Sequence, residues 1–217
     1  MSLRINDVAP DFEADSTAGK LKLHEWIGDS YAILFSHPKD FTPVCTTEFG
    51  AVAQLAPEFE KRNTKVMGVS VDSVDEHQKW KRDIESFAGA QANFPIIDDT
   101  SLNVSKLYNM LPADAYLPDG RTPKDSATVR TVFIVGPDKK IRLTMSYPMS
   151  VGRNFAEILR ALDAIQATDG APIATPANWV PGQDVIVALG LDDDQARERF
   201  GEVEIKLPYL RFIKAPS

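Results

Sequence analysis

Residues 31–48 read YAILFSHPKDFTPVCTTE. The first six form a short apolar run, the pattern of a buried strand. The run ends at His37-Pro38, and a loop follows. Pro43 marks the start of a helix, because the missing proline N–H costs nothing at a first helical position. Cys45 then falls in the first helical turn, where unpaired N–H groups and the positive end of the helix dipole stabilise a thiolate. It is the one cysteine in 217 residues. A buried structural thiol is the bland alternative; the strand–loop–helix placement favours a reactive one.

Working outward, residues 65–71 (KVMGVSV), 94–98 (FPIID) and 129–135 (VRTVFIV) are similar strand-like runs. Helical patterns lie between them. Phe49, Val52, Ala53, Ala56 and Phe59 share one helix face after Cys45, and Pro57 is expected to kink or interrupt that helix. Val74 to Phe87 reads as a charged helix with Trp80, Ile84 and Phe87 on one side, and residues 101–108 as a short one. Gly136 to Lys140 is a turn into a strand from Ile141 to Tyr147. Phe155, Ile158, Leu159, Leu162 and Ile165 give an amphipathic helix, with Asn154 and Glu157 spaced as a cap. Alternating strands and helices imply an α/β sandwich with a hairpin at one end of the sheet.

The texture changes after about residue 168. Asp169-Gly170-Ala171-Pro172, Pro176, Pro181 and Gly182 break regular structure, and a strand-like DVIVAL, an acidic turn and a short helix near Gln195 to Phe200 follow. We divide the chain into residues 1–165 and 166–217. The tail is expected to be too small for its own core and to pack on the main domain or a partner subunit.

Composition narrows the function classes. The chain is 43% hydrophobic and 25% charged, with net charge −7. At pI 5.0 it carries no electrostatic footprint for nucleic acid or an anionic membrane. A single cysteine excludes an intrachain disulfide and any CxxC site, and three scattered histidines argue against structural zinc. There is no apolar leader and no run of membrane-spanning length, so cytoplasm is the expected location.

Pro38-x-x-x-Thr42-x-x-Cys45 resembles the active-site motif of the peroxiredoxins, and HPKDFTPVCTTE over residues 37–48 is similar to the one-cysteine, Prx6-type members. Ala9-Pro10-Asp11-Phe12, Ile96-Ile97-Asp98-Asp99, the turn at 136–140, Gly152-Arg153-Asn154-Phe155 and Thr175-Pro176-Ala177-Asn178-Trp179 resemble further signatures in family order. The resemblance spans essentially the whole chain. It implies a thioredoxin-like fold with a small C-terminal α+β extension. It also implies a thiol-dependent peroxidase for hydrogen peroxide and alkyl hydroperoxides, serving antioxidant defence and redox homeostasis with no cofactor and no metal. By resemblance, Cys45 is the peroxidatic nucleophile, oxidised to sulfenic acid. Thr42 orients the peroxide, Pro38 shields the thiolate, and Arg130 contacts sulfur and peroxide. Glu48 holds Arg130, Arg153 is a second arginine near the pocket, and His37 lines it. Without a second cysteine, reduction must come from an external thiol such as glutathione or a thioredoxin-like system. The family also implies a homodimer or larger homo-oligomer, with the tail, around residues 175–179, reaching across to the partner.

Two other readings remain. Some relatives are described as phospholipases with a G-D-S-W-G serine; here Gly28-Asp29-Ser30-Tyr31-Ala32 departs at two positions, with His24 and Asp138 as partners. Ser30 precedes a strand instead of occupying a nucleophile elbow, so a turn is the simpler reading. A peroxide sensor or chaperone on the same fold is the non-enzymatic alternative.

Overall fold

A computed structural model describes residues 3–116 and 126–215. The chain divides into two compact units, Met1–Phe155 and Ala156–Ser217. Residues 1, 2, 216 and 217, the outer ends of the two domains read from the sequence, lie outside the described residues.

A five-stranded sheet forms the first unit, in the order β5-β4-β3-β6-β7. It is preceded by a short hairpin of β1 (Glu13–Ala14) and β2 (Leu21–Lys22) and by α1 (Leu23–Ile27). The central strand is β3 (Tyr31–Ser36), the apolar run at which the sequence reading began. From it the chain crosses through α2 (Pro43–Lys61) to β4 (Thr64–Ser70), and through α3 (Val74–Ala88) to β5 (Ile96–Asp98). Both crossovers leave parallel pairs. After α4 (Asn103–Leu107) and a 3₁₀ turn at Ala113–Tyr116, β6 (Arg130–Val135) returns antiparallel to β3 and forms a hairpin with β7 (Ile141–Tyr147).

Successive strand residues point to opposite faces, which explains why β3 is apolar throughout. Ala32 and Leu34 join Leu23, Ile27, Met67, Tyr108 and Phe133 in the core on one face. Phe35 meets Phe49 of α2, with ring centroids 4.9 Å apart. Phe49 in turn packs on Trp80 of α3 at 4.7 Å. Gly68 of β4 lets α2 approach the sheet closely: a Cβ there would lie 2.7 Å from Phe49 Cζ.

Two local expectations change. α2 runs uninterrupted through Pro57 to Lys61. Proline forfeits one hydrogen bond, to the Ala53 carbonyl, but Phe59 beyond it is 2% exposed and anchors the last turn in the core. Phe87 stands 62% exposed, whereas Trp80 and Ile84 are fully buried. Phe87 is on their face, but it lies in the last turn of α3, beyond the body of the core.

The second unit opens with α5 (Phe155–Asp169), whose first residue belongs to the first unit. Its sheet has the order β10-β11-β9-β8. The strands are β8 (Ile173–Ala174), β9 (Val185–Val187), β10 (Glu204–Leu207) and β11 (Leu210–Ile213), with α6 (Asp193–Phe200) between β9 and β10. α6 begins at a capping box: Gln195 N donates to Asp192 Oδ1 at 2.8 Å, and Asp192 N donates to Gln195 Oε1 at 3.0 Å. Contrary to the expectation for the tail, this unit has an apolar core of its own. Ile173, Trp179, Val185, Val187, Ala196 and Ile213 form it, with Ala164 and Ala167 of α5 against them. Trp179 is 3% exposed, its ring held within this core.

Candidate active site

α2 begins at Pro43, so Cys45 is the third residue of its first turn, and it is fully buried. Thr42 holds the N-cap position without capping. Its hydroxyl donates to the Lys39 carbonyl at 2.8 Å, and its side chain accepts no bond from the first-turn N–H groups. Phe41, immediately before it, has φ of 54°, in the left-handed region that side chains rarely adopt. Pro38 is buried in the same loop.

Arg130 reaches the sulfur from the first residue of β6. Its Nη1 lies 3.4 Å from Cys45 Sγ and donates to Glu48 Oε2 at 2.6 Å. Its Nε and Nη2 both donate to the Met149 carbonyl, at 2.8 and 2.6 Å, fixing the plane of the fork. Glu48, one turn along α2 from Cys45, also ties in Arg153. Its Oε1 accepts from the Arg153 backbone N and from Nε, each at 2.8 Å, and its Oε2 accepts from Nη2 at 2.7 Å. Arg153 further donates to the Thr131 carbonyl, and its guanidinium lies 5.0 Å from the Phe35 ring centre. Burial pushes the Glu48 carboxyl up, but the hydrogen bonds and charge of Arg153, with the charge of Arg130, outweigh it and hold the group below the usual carboxylate range. One carboxylate thus positions two buried guanidiniums, and one of these faces the thiol.

His37 is fully buried and forms a second polar cluster. Its Nε2 lies 2.7 Å from Asp40 Oδ1, and Asp40 Oδ2 lies 2.6 Å from Nδ1 of His77 on α3. His77 Nε2 lies 3.1 Å from the Ile97 carbonyl. Asp40 N donates to Asp72, which also accepts from Ser70. The His37 ring stacks on Trp80 at 5.0 Å and meets Phe49 edge-on at 4.6 Å. Burial lowers the His37 imidazole from its ordinary value, against the pull of Asp40. Burial raises the Asp40 carboxyl, but hydrogen bonds from both imidazoles reverse this and hold it below its ordinary value.

The structure therefore gathers Cys45, Arg130, Glu48 and Arg153, keeps Thr42 and Pro38 in the adjoining loop, and places His37 in a separate cluster with two residues that the sequence reading missed. Asp40 lies inside the quoted motif, and His77 falls on the buried row with Trp80 and Ile84, so both left a signal. The Met149 carbonyl left none. The hydrolase residues are not brought together by any hydrogen bond among the described residues. Ser30 donates to Asn63 Oδ1 at 3.1 Å, His24 Nε2 donates to the Ala9 carbonyl at 2.7 Å, and Asp138 accepts from Arg142.

The profile of the AhpC/TSA family matches residues 5–144, and that of the C-terminal domain of 1-Cys peroxiredoxin matches residues 164–202. The chain belongs to the AhpC/TSA family. It is 49% identical to mitochondrial peroxiredoxin PRX1 of Saccharomyces cerevisiae, over 98% of this chain and 81% of that one. Mouse peroxiredoxin-6 is 45% identical over 99% of this chain and 98% of its own. Among solved structures, a cysteine-to-serine variant of Arenicola marina peroxiredoxin 6 superposes with a TM-score of 0.91 at 43% identity, covering 99% of both chains. A yeast mitochondrial 1-Cys peroxiredoxin, solved for its thiol resolving mechanism via glutathione/thioredoxin systems, gives 0.87 at 48% identity, over 98% of this chain and 99% of that one. The architecture is the thioredoxin-like one of these proteins, with extra strands and a helix at the C-terminus, and the activity is that of a thiol-dependent peroxidase.

Proposed function

We propose that Cys45 is the peroxidatic nucleophile, acting with Arg130, Thr42 and Pro38. The observation that carries this reading is the shared Arg130 Nη1, 3.4 Å from Sγ and 2.6 Å from Glu48. A guanidinium locked in that position keeps a positive charge against the sulfur at every accessible pH. The first-turn N–H groups, without a side-chain cap, add to it. The thiolate attacks the near oxygen of the peroxide. The O–O bond breaks, and its electron pair leaves on the far oxygen, which takes from solvent the proton that the thiol released on ionising and departs as water or an alcohol, while the near oxygen keeps the peroxide proton. Cys45 is left as sulfenic acid. Because the Thr42 proton is directed to Lys39, its oxygen offers lone pairs to the substrate O–H. Buried Pro38 keeps bulk water from the sulfur.

The sequence offers no second cysteine, so an external thiol closes the cycle. Glutathione or a thioredoxin-like protein is the proposed class, in line with the systems named for the yeast structure. The deciding experiment follows peroxide consumption with a panel of thiols beside trapping of the sulfenic acid. Wild type should turn over with at least one thiol, and Cys45→Ser should not react. Turnover by Cys45→Ser would sink the assignment.

We further propose a homodimer whose residues 166–217 cover the partner's active-site region, while residues 1–165 carry the peroxidase chemistry. A monomer by light scattering at micromolar concentration contradicts this. No helix among the described residues is long and apolar enough to cross a membrane. A cytoplasmic location is the finer reading, and cell fractionation tests it against the mitochondrial placement in the name of the yeast relative.

A further inference from the structure

β4 has two edges, and its hydrogen bonds show which residues serve each. Tyr31 N donates to the Asn63 carbonyl and His37 N to the Val69 carbonyl, both at 3.0 Å. In a parallel pair the N–H and C=O of alternate residues point the same way, so Asn63, Lys65, Met67 and Val69 face β3. Thr64, Val66, Gly68 and Ser70 face the other side. Two of these are met there: Gly68 N donates to the Pro95 carbonyl, and the Ser70 carbonyl accepts from Asp99 N, both at 3.0 Å. The pairing with β5 starts at Gly68 and does not reach Val66. The next bond of that ladder would run to the Val66 carbonyl from residue 95, a proline with no N–H. The chain before it turns aside, with Asn93 N donating to the Gln91 carbonyl. Thr64 and Val66 therefore keep an open edge, although they are only 5% and 8% exposed. Buried backbone groups are rarely left unpaired, so this edge calls for a partner.

The edge lies in an apolar groove of about 210 Å³, lined by Trp26 of α1, by Val52, Ala56 and Phe59 of α2, and by Phe94 and Pro95. Its walls belong to the two faces of the sheet. Gly68 looks at Phe49 of α2, whereas Lys65 reaches Trp26, to whose carbonyl its Nζ donates at 2.5 Å. Lys65 and Glu60 also line the groove, one cation and one anion, so it carries no net charge. A folded sheet would have to pass both walls to reach the edge; a single extended chain needs only the width of one strand, about 4.8 Å. We propose that this edge is a docking site for an extended, apolar, uncharged segment of another polypeptide, which adds as a short strand beside Thr64 and Val66. Main-chain bonds to Val66 take the place that Pro95 denies to β5, and alternate side chains of the segment enter the groove on either face. Thr64 to Met67 span about 13 Å at roughly 3.3 Å per residue, room for three or four residues. The site works independently of the thiol chemistry.

The test needs first only the wild-type protein and its amide spectrum. The Val66 N–H should exchange with solvent deuterium at least about tenfold faster than those of Lys65 and Met67, which are bonded to β3. Equal protection means that the edge is already paired and overturns the proposal. Protection of Val66 that grows with protein concentration puts a second copy in the groove and overturns it as well. The probe is then the capped peptide acetyl-Ser-Val-Leu-Val-Ser-amide, beside a copy N-methylated at its three apolar residues. The first should shift the Thr64 and Val66 amides and slow their exchange. The second keeps the side chains but has lost the main-chain donors, and it should bind at least about tenfold more weakly, the scale of one or two net hydrogen bonds. Equal binding of the two peptides reveals an apolar pocket without strand addition, and no shift at Thr64 and Val66 at millimolar peptide reveals no site; either result overturns the proposal. Ala56→Leu, which fills the groove from α2, should weaken the first peptide at least about fivefold by excluding its side chains, with peroxide consumption unchanged. An undiminished affinity places the peptide elsewhere and overturns the proposal; should this variant fail to fold, the exchange rates and the two peptides on wild type still decide.

Discussion

Glu48→Gln is the sharpest test of how this site is held. Glu48 is 3% exposed and receives one bond from Arg130 and three from Arg153, all between 2.6 and 2.8 Å. A glutamine of the same shape keeps one acceptor oxygen but turns an N–H₂ toward guanidinium donors, and it removes the one carboxylate that balances two buried cations. Breaking a buried ion pair by removing one partner costs about 3–5 kcal/mol. The Met149 and Thr131 carbonyls still serve the two arginines, which places this case near the lower end. At a urea slope of about 2 kcal/mol/M, a loss of ~3 kcal/mol lowers the midpoint by about 1.5 M. The pH dependence has a definite sign. The folded-state value for Glu48 is depressed, so its contribution is fully present above the unfolded carboxylate value of about 4.3 and disappears as pH falls through the folded one. Urea unfolding of both proteins from neutral pH downward should show a level gap that narrows only below that point. A loss under about 1 kcal/mol at neutral pH, outside the range for a broken buried pair, would refute the reasoning. So would a gap that widens on acidification.

The other perturbations are simpler. Arg130→Lys keeps the charge but cannot hold Glu48, the Met149 carbonyl and Sγ from one planar fork; sulfenic acid formation should slow at least about tenfold, ~1.4 kcal/mol of barrier, with unchanged circular dichroism, and a wild-type rate contradicts the assigned role. Gly68→Ala sets a Cβ 2.7 Å from Phe49 Cζ and should cost about 1–3 kcal/mol by thermal unfolding, as overpacking does; an unchanged midpoint means α2 lies farther from β4. Ser30→Ala removes a hydroxyl that donates to Asn63 and should leave peroxide consumption unaltered; a release of fatty acid by wild type that this variant abolishes would revive the hydrolase reading.

What the sequence made legible follows from how local each determinant is. The apolar run before Pro38 and the proline at the first position of α2 act within a few residues, so strand, loop, helix and the place of the thiol could all be read in advance. Pro57 does not interrupt α2 because its local cost is overruled by the burial of Phe59, which depends on the sheet. The second unit's core was missed because it draws Ala164 and Ala167 from α5, a helix that the division at 165/166 assigned mostly to the first domain. The Met149 carbonyl could not be read at all, because a backbone acceptor leaves no trace in residue type.

Glu48 and His77 lie between these cases. The buried residues of α2 include Cys45, Glu48, Phe49, Val52 and Ala53, at intervals of three, four, seven and eight from the cysteine. The helical period alone puts Glu48 on the inward stripe, where a carboxylate survives as an ion only beside cations. His77 stands in the same relation to Trp80 and Ile84 on α3. A titratable residue inside an apolar stripe therefore states that a partner exists, though not which one. The partners are supplied by topology: antiparallel pairing of β3 with β6 sets Arg130 at the strand end nearest α2, and parallel pairing of β4 with β5 carries Ile97 to the His77 ring. The polar half of this site is encoded as unmet demands along two helices, which the sheet order then satisfies.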